Sequence, residues 1–102
     1  MVADSQTEIY ASKSMILEAA RARDEGKDVS LSASMCKYFA SEMCGRVADR
    51  AVQMFGGAGY ISDFSTIERY YRDVRAFRIY EGTSQIHQLN IAKLVLRNHS
   101  GL

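Results

Sequence analysis

The sequence has 102 residues with 13 basic and 12 acidic side chains, a formal net charge of +1. This length predicts one domain, and the balanced charge gives no support for a nucleic acid or an anionic membrane as partner. Hydrophobic residues make up 47% of the chain, which argues against disorder. Because no apolar run reaches a membrane span of roughly 18 residues and no signal-peptide pattern is present, we expect a cytoplasmic protein, or one of the mitochondrial matrix in a eukaryote.

The first predicted element is a helix from about residue 5 to Gly26. It opens with "SQTE", Ser5 to Glu8, which has the spacing of a capping box, where serine and glutamate side chains bond to first-turn amides. Gly26 is typical of a helix C-terminus because glycine adopts the left-handed conformation without penalty.

The second predicted helix, about residues 30–55, has apolar or small residues in pairs that recur about every four positions. Gly45 lies inside it and predicts close approach of a neighbouring helix, since glycine there costs about 1 kcal/mol relative to alanine. Cys36 and Cys44 share a face but lie about 12 Å apart. That distance excludes a disulfide and predicts buried thiols in a reducing compartment.

The rest of the chain predicts one short and one long helix. "GGAGY" ends the second helix, and "STIE", Ser65 to Glu68, has the spacing of a second capping box that opens the short helix. A last helix, about residues 84–97, has apolar positions around most of its circumference, which predicts burial on more than one side. The fold class is therefore all-α, an up-and-down helical bundle. Three long helices leave an apolar face uncovered, so a further helix or copies of the chain should cover it.

The segment "RIYEGTSQIHQ", residues 78–88, is the main candidate site. Glu81 directly precedes Gly82 and the start of the last helix, which Thr83 or Ser84 can cap, or whose amides can bind a phosphate. The Glu81 carboxylate can therefore complement the helix dipole, or act as a base if the side chains around it exclude water. The candidate walls are three apolar or aromatic side chains, Tyr60, Ile79 and Tyr80.

Three other patterns have simpler interpretations. "QMFGGAGY", from Gln53 to Tyr60, is a helix C-terminus or a bare backbone surface for phosphate; it follows a helix, so it does not fit the dinucleotide fingerprint. Arg72, Arg75 and Arg78 form a solvated helical stripe. The spacing of His87 and His99 fits no common metal-binding pattern, so no metal site is expected.

The segments "AVQMFGGAGY", "ERYYRDVR" and "RIYEGTSQIHQLNIAK", in this order and spacing, resemble the C-terminal helical domain of the acyl-CoA dehydrogenases. The resemblance runs from about residue 5 to 97. Members of that family have an N-terminal helical domain, a middle β domain and this C-terminal bundle, and usually form tetramers. The resemblance implies that the whole chain, residues 1–102, is part of the C-terminal domain and corresponds to about the last quarter of such an enzyme. It also implies that the first helix of the bundle is missing from this chain.

The resemblance also implies roles for particular residues. Glu81 matches the base that takes the α-proton of an acyl-CoA thioester while the β-hydrogen leaves as hydride to flavin N5, and Gly82 matches the residue beside the substrate. In the family, the amide at the catalytic glutamate and the flavin ribose bind the thioester carbonyl. Two segments are implied to contact FAD. The first is Gly82, Thr83, Ser84 and Gln85. The second, which typically contacts the FAD of the neighbouring subunit, is Gln53, Met54, Phe55, Gly56 and Gly57.

The implied partners are an acyl-CoA substrate, electron-transferring flavoprotein as electron acceptor, and further copies of the chain in a dimer or tetramer. The isolated chain is expected to be inactive, because the flavin ring and most of the acyl pocket belong to other domains. Two alternatives stay open: a non-catalytic helical self-association module, and a family relative with another substrate. A relative that oxidises a nitroalkane would be favoured by aspartate at position 81, so Glu81 disfavours a nitroalkane as the substrate.

Two features concern the match itself. The stretch "DFSTIER" is one residue longer than the usual family pattern and lacks its proline, which affects the expected geometry between Tyr60 and Arg69. Some members of the family place the base on another helix, whereas Glu81 indicates the commoner arrangement.

Overall fold

The computed structural model describes the backbone of residues 1–100 and the side chains of residues 1–98. Five helices follow one another, with a 3-10 turn, Ala76–Arg78, between the fourth and the fifth: α1 (Val2–Asp24), α2 (Ser30–Phe55), α3 (Gly57–Tyr60), α4 (Ile67–Arg75) and α5 (Ser84–Ser100). The described range contains no strand, so the all-α prediction is confirmed. Within that range no helix combines the length and the apolar character that crossing a membrane requires.

Helix α2 is the central element, and the other helices pack along it. Helix α1 is antiparallel to it, because Glu8 near the start of α1 contacts Arg50 near the end of α2. Helix α5 is antiparallel as well, since Ser84 contacts Glu42 and Gln88, one turn later, contacts Tyr38. This is an up-and-down bundle in which α2 contacts each of the other four helices.

The hydrophobic core within this chain is thin. Met43, 7% exposed, is the one buried hydrophobic residue among those described, and the molecule measures 56 × 23 × 21 Å. Its radius of gyration is 16.5 Å, against about 13 Å for a compact domain of this length. The prediction that the last helix is buried on more than one side is wrong within this chain: Leu89 and Leu96 are each 66% exposed. Helix α5 packs chiefly on α2, and one neighbour covers only one face.

The first predicted capping box does not form. Helix α1 begins at Val2, three residues before Ser5, and has no side-chain cap. Ser5 and Glu8 point across to α2 instead, where Arg50 Nη1 donates to Ser5 Oγ at 3.3 Å and Arg50 Nη2 donates to Glu8 Oε1 at 3.0 Å. Arg46 Nε donates to the same carboxylate at 3.2 Å. The carboxylate thus joins two helices rather than capping one, while Gly26, with φ +81°, lies just beyond the end of α1 as predicted.

The second capping box is also wrong. Helix α4 begins at Ile67, whose N–H donates to Ser65 Oγ at 3.4 Å, but Glu68 pairs with Arg72 at 2.8 Å, one turn further along the helix. An ion pair with a neighbour four residues away competes with the cap for the same carboxylate. The short helix α3 within "GGAGY" was not expected from the glycine content of that stretch.

Cys36 and Cys44 are free, as their spacing predicts, and both are half-buried. Burial raises the pKa of each thiol above its ordinary value, because the thiolate is poorly solvated there. Both thiols are therefore expected to be protonated and unreactive near neutral pH.

The ion pairs of Glu8 predict a pH-dependent stability. The hydrogen bond from Arg50 holds the pKa of Glu8 below its ordinary value of 4.5, so the stabilisation is present above that pH and is lost as the pH falls through the lowered pKa. We expect Glu8→Gln to lower the thermal unfolding temperature at pH 7, measured by circular dichroism, with a difference from wild type that disappears in acid. Glu18→Gln, an exposed change on the same helix, is the control. Equal unfolding temperatures at pH 7 would contradict this assignment.

Candidate functional site

The candidate site is residues 77–83, which comprise the end of the 3-10 segment and the turn that leads into α5; it is here called the Glu81 turn. Glu81 and Gly82 both adopt positive φ angles, +54° and +87°. This conformation is natural for glycine but uncommon for other residues, and costs Glu81 about 1–2 kcal/mol. Contacts from the rest of the chain must offset that cost.

Lys37 of α2 supplies the largest group of these contacts. Its Nζ donates to the carbonyl oxygen of Phe77 at 2.6 Å, of Tyr80 at 3.1 Å and of Gly82 at 2.7 Å. An ammonium group has three donors, so all of them are used on the backbone of one turn. Lys37 therefore fixes the turn on both sides of Glu81.

Glu42 lies on α2 between Lys37 and Gly45 and makes a second bridge. Its Oε1 accepts a hydrogen bond from Ser84 Oγ at 2.7 Å, and its Oε2 accepts one from Arg78 Nη1 at 3.4 Å. Arg78 precedes Glu81 and Ser84 follows it, so this carboxylate also holds both sides of the turn. Ser84 is only 3% exposed, which shows how firmly the start of α5 is held against α2.

Arg78 corrects two predictions. It is half-buried rather than part of a solvated stripe, whereas Arg72 and Arg75 are exposed. Its guanidinium explains Gly45, where an added Cβ would lie 3.2 Å from the guanidinium carbon. The close approach predicted at Gly45 is therefore made by a side chain and not by the backbone of a neighbouring helix.

His87, in the first turn of α5, contacts the backbone of the Glu81 turn. Its Nε2 lies 3.1 Å from the carbonyl oxygen of Glu81, and since a carbonyl only accepts, this nitrogen carries the proton. An added Cβ at Gly82 would lie 2.8 Å from the same nitrogen. Gly82 is thus needed both for its φ and for space. The side chain of His99 lies outside the described residues, within which no three metal-ligating side chains are grouped.

The N-terminus of α5 leaves several amides available. Thr83 Oγ1 accepts the N–H of Ile86 at 3.1 Å, which confirms Thr83 as the cap. The N–H groups of residues 81–85 have no acceptor in the part of the chain that the structure describes. Free amides at a helix N-terminus bind anions and polar groups well, and the Gln85 side chain is exposed beside them.

The described residues do not form the expected apolar wall around Glu81. Glu81 is exposed, and so are Ile79, Tyr80 and Tyr60, the last at 79%. Tyr60 belongs to α3 and lines a cavity with Asp49 and Val52 of α2, which lie about 10–15 Å along that helix from Glu42. The described residues therefore do not shield Glu81 from water.

The second candidate cofactor segment, Gln53 to Gly57, is exposed at the C-terminal end of α2. Gly56 has φ +64°, and an added Cβ at Gly56 or Gly57 would meet no atom within 4 Å, so the backbone is open to a partner. The structure does not bring this segment to the Glu81 turn, which lies about 20 Å away along the axis of α2.

Lys37 and Glu42 were missed by sequence reasoning, although a signal exists. They are the charged residues within a stretch of α2 whose other members, from Met35 to Cys44, are small, apolar, aromatic or hydroxyl-bearing. Charges in such a stretch usually have a buried polar partner. Nothing in the sequence, however, says which backbone carbonyls they meet.

Comparisons with known proteins agree with this architecture. The family model of the acyl-CoA dehydrogenase C-terminal domain matches residues 1–96. Subunit CarC of the caffeyl-CoA reductase-Etf complex of Acetobacterium woodii is 44% identical, covering 95% of this chain and 25% of that protein. Cyclohexane-1-carbonyl-CoA dehydrogenase of Geobacter metallireducens is 41% identical over the same shares.

A solved structure gives the same result. Butyryl-CoA dehydrogenase from Megasphaera elsdenii matches with a TM-score of 0.86 at 34% identity, over 92% of this chain and 24% of that one. The chain therefore spans about a quarter of the length of the relatives it matches.

The dual role of Gly82 predicts an outcome for Gly82→Ala. Alanine at position 82 adds a conformational cost of about 1–2 kcal/mol and a clash with His87. Gly26 also has a positive φ, +81°, but no atom lies within 4 Å of an added Cβ there, so Gly26→Ala adds only the conformational cost. We expect Gly82→Ala to lower the free energy of unfolding more than Gly26→Ala, measured by urea denaturation. The double variant Gly82→Ala/His87→Ala should recover the excess. Equal losses at the two glycines would show that His87 does not restrict the turn.

Proposed function

The chain belongs to the acyl-CoA dehydrogenase family, and on that premise we propose that it acts in an FAD-dependent enzyme that interconverts an acyl-CoA thioester and its α,β-unsaturated product. Glu81 transfers the α-proton. The observation that carries the proposal is the Glu81 turn, in which three bonds from Lys37 hold a carboxylate-bearing residue in an unfavourable φ, directly before a helix N-terminus with free amides.

Proton transfer by Glu81 serves either direction of the reaction. In desaturation, the α-carbon–hydrogen bond breaks and its proton passes to the Glu81 carboxylate. FAD, when bound, accepts the β-hydrogen as hydride. The relatives named above include a dehydrogenase and a reductase, and a carboxylic acid at position 81 returns the proton to the α-carbon in the reductive direction.

The free backbone amides give Glu81 a second role. An α-proton of a thioester becomes more acidic when the carbonyl oxygen accepts hydrogen bonds that strengthen as negative charge develops on it. The Glu81 N–H has no acceptor within the described part of the chain, which leaves it available for that oxygen. Gly82, with no side chain, leaves room for the substrate beside it.

The residues present fit the cofactor. The amides of Ser84 and Gln85, together with the Thr83 hydroxyl and the Gln85 side chain, would hold polar groups of FAD at the start of α5. The open backbone of Gly56 and Gly57 would meet FAD elsewhere. Because the two segments are separated along α2, they are suited to two FAD molecules in an oligomer, with the second segment acting on the neighbouring subunit.

The other partners follow from the same reasoning. Electron-transferring flavoprotein is the proposed electron partner, since a relative at 44% identity is named as a subunit of an Etf complex. The 102 residues alone are proposed to be inactive, because the exposed Glu81 carboxylate needs apolar surroundings that the described residues do not supply.

A second candidate function for the chain by itself is helical self-association. The exposed apolar side chains of α5, Ile86, Leu89 and Leu96, favour it. It predicts a dimer or a larger assembly of the isolated chain in solution, without flavin.

The proposal is tested by Glu81→Gln in the full-length protein. We expect this variant to retain FAD but to lose about 10²–10⁴-fold in the rate of flavin reduction by acyl-CoA, because glutamine cannot accept the proton. The measurement is anaerobic stopped-flow absorbance of the flavin with a panel of acyl-CoA chain lengths. Glu25→Gln, which changes an exposed carboxylate paired with Lys27, is the control and should bleach at the wild-type rate. A Glu81→Gln variant that bleaches as fast as wild type would remove Glu81 from the mechanism.

A further inference from the structure

The hydrogen bond from Lys37 to the Tyr80 carbonyl acts on a group that the proposed chemistry uses. Lys37 Nζ lies 3.1 Å from the Tyr80 oxygen. That oxygen and the Glu81 N–H are opposite ends of one planar, conjugated peptide group. A cation at the oxygen draws electron density away from the nitrogen, and hydrogen bonds in such a chain strengthen one another.

Lys37 donates its hydrogen bonds to backbone carbonyl oxygens and not to a carboxylate. None of the ion pairs among the described residues involves Lys37, and its three recorded partners are all carbonyl oxygens. Arg78, by contrast, is paired with Glu42 on the same side of the turn. The ammonium charge of Lys37 therefore acts directly on the backbone carbonyls of the Glu81 turn.

We propose that Lys37 is a positioning residue that polarises the Glu81 peptide group, so that its N–H becomes a stronger hydrogen-bond donor to an acyl thioester oxygen. The inference rests on the proposed function and adds to it a residue that does not touch the substrate. The same ammonium also bonds to the Gly82 carbonyl at 2.7 Å, whose peptide partner, the Thr83 N–H, has no acceptor in the described part of the chain. One cation thus polarises two neighbouring amides.

The test uses the full-length protein with FAD and an acyl-CoA labelled with ¹³C at the thioester carbonyl. A Glu81→Gln background keeps the bound thioester from reacting. Isotope-edited infrared spectroscopy then reports the carbonyl stretch, which falls as the hydrogen bonds to the oxygen strengthen. We expect Lys37→Met to return this stretch towards the value of free acyl-CoA, and Lys37→Arg, which keeps the charge, to retain most of the shift.

The same substitutions are made with Glu81 intact. There, Lys37→Met should lower the maximal rate of flavin reduction about 10-fold or more, with a smaller change in KM, because the donor acts mainly on developing charge. The control is Lys93→Met, an exposed lysine on α5, which should change neither the stretch nor the rate.

Lys37→Gln separates charge from hydrogen bonding and serves if Lys37→Met fails to fold or to retain FAD. A Lys37→Gln protein with a wild-type carbonyl stretch would overturn the inference. A Lys37 variant with a slower rate but an unchanged stretch would also overturn it, because Lys37 would then hold the turn in place without polarising the amide. Loss of activity in Glu81→Gln together with a normal Lys37→Met would overturn the inference and leave the proposed function intact. Full activity of Glu81→Gln would overturn both.

Discussion

Three carbonyl oxygens of the Glu81 turn meet on the ammonium group of Lys37, and the geometry of the candidate site follows from that contact. The turn places Glu81 and Gly82 in left-handed conformations and directs the chain into α5 with its first amides free. Hydrogen bonds to a charged group contribute about 1.5–3 kcal/mol each. Three of them are enough to offset the conformational cost of Glu81, about 1–2 kcal/mol.

Helix α2 makes this arrangement possible because several of its side chains face the turn together. Tyr38, Glu42 and Gly45 are spaced at four and three residues, which places them on one face of the helix, beside Lys37. Tyr38 contacts Gln88, and Glu42 and Gly45 both lie against Arg78. In a chain with so little buried apolar surface, these polar contacts also fix the position of α5. The same contacts therefore serve the fold and the site.

Much of the fold could be predicted from the sequence because helix periodicity is local. The bounds of α2, the end of α1 near Gly26 and the start of α5 at Ser84 agree with the structure. Neither capping box formed: α1 begins at Val2, ahead of Ser5. Glu8 and Glu68 have cationic partners within reach, and a local motif cannot show that competition. The exposure of α5 could not be predicted either. Its apolar positions indicate that much of the helix surface needs a partner, but they do not indicate whether that partner belongs to this chain.

The site was only partly predictable. The motif around Glu81 and the cap at Thr83 are local, and both could be inferred from residue type and order. The positive φ of Glu81 could not, because nothing in a glutamate indicates that conformation. Lys37 and Glu42 act from about 40 residues away along the chain, and only the packing of α5 against α2 brings them to the turn. The assignment of Gln53 to Gly57 to a cofactor rests on family resemblance, to which the structure adds an open backbone surface.

If Glu81 moves a proton at the α-carbon of the acyl group, the α-hydrogen should exchange with solvent, and this exchange can be measured directly. The full-length protein with FAD would be held anaerobically with a saturated acyl-CoA in D₂O, and deuterium at the α and β positions would be measured by mass spectrometry and NMR. We expect the wild-type protein to introduce deuterium at the α-carbon and Glu81→Gln not to do so. Equal α-deuteration in both proteins, or none in an active wild type, would contradict the assignment of Glu81 as the proton-transferring group.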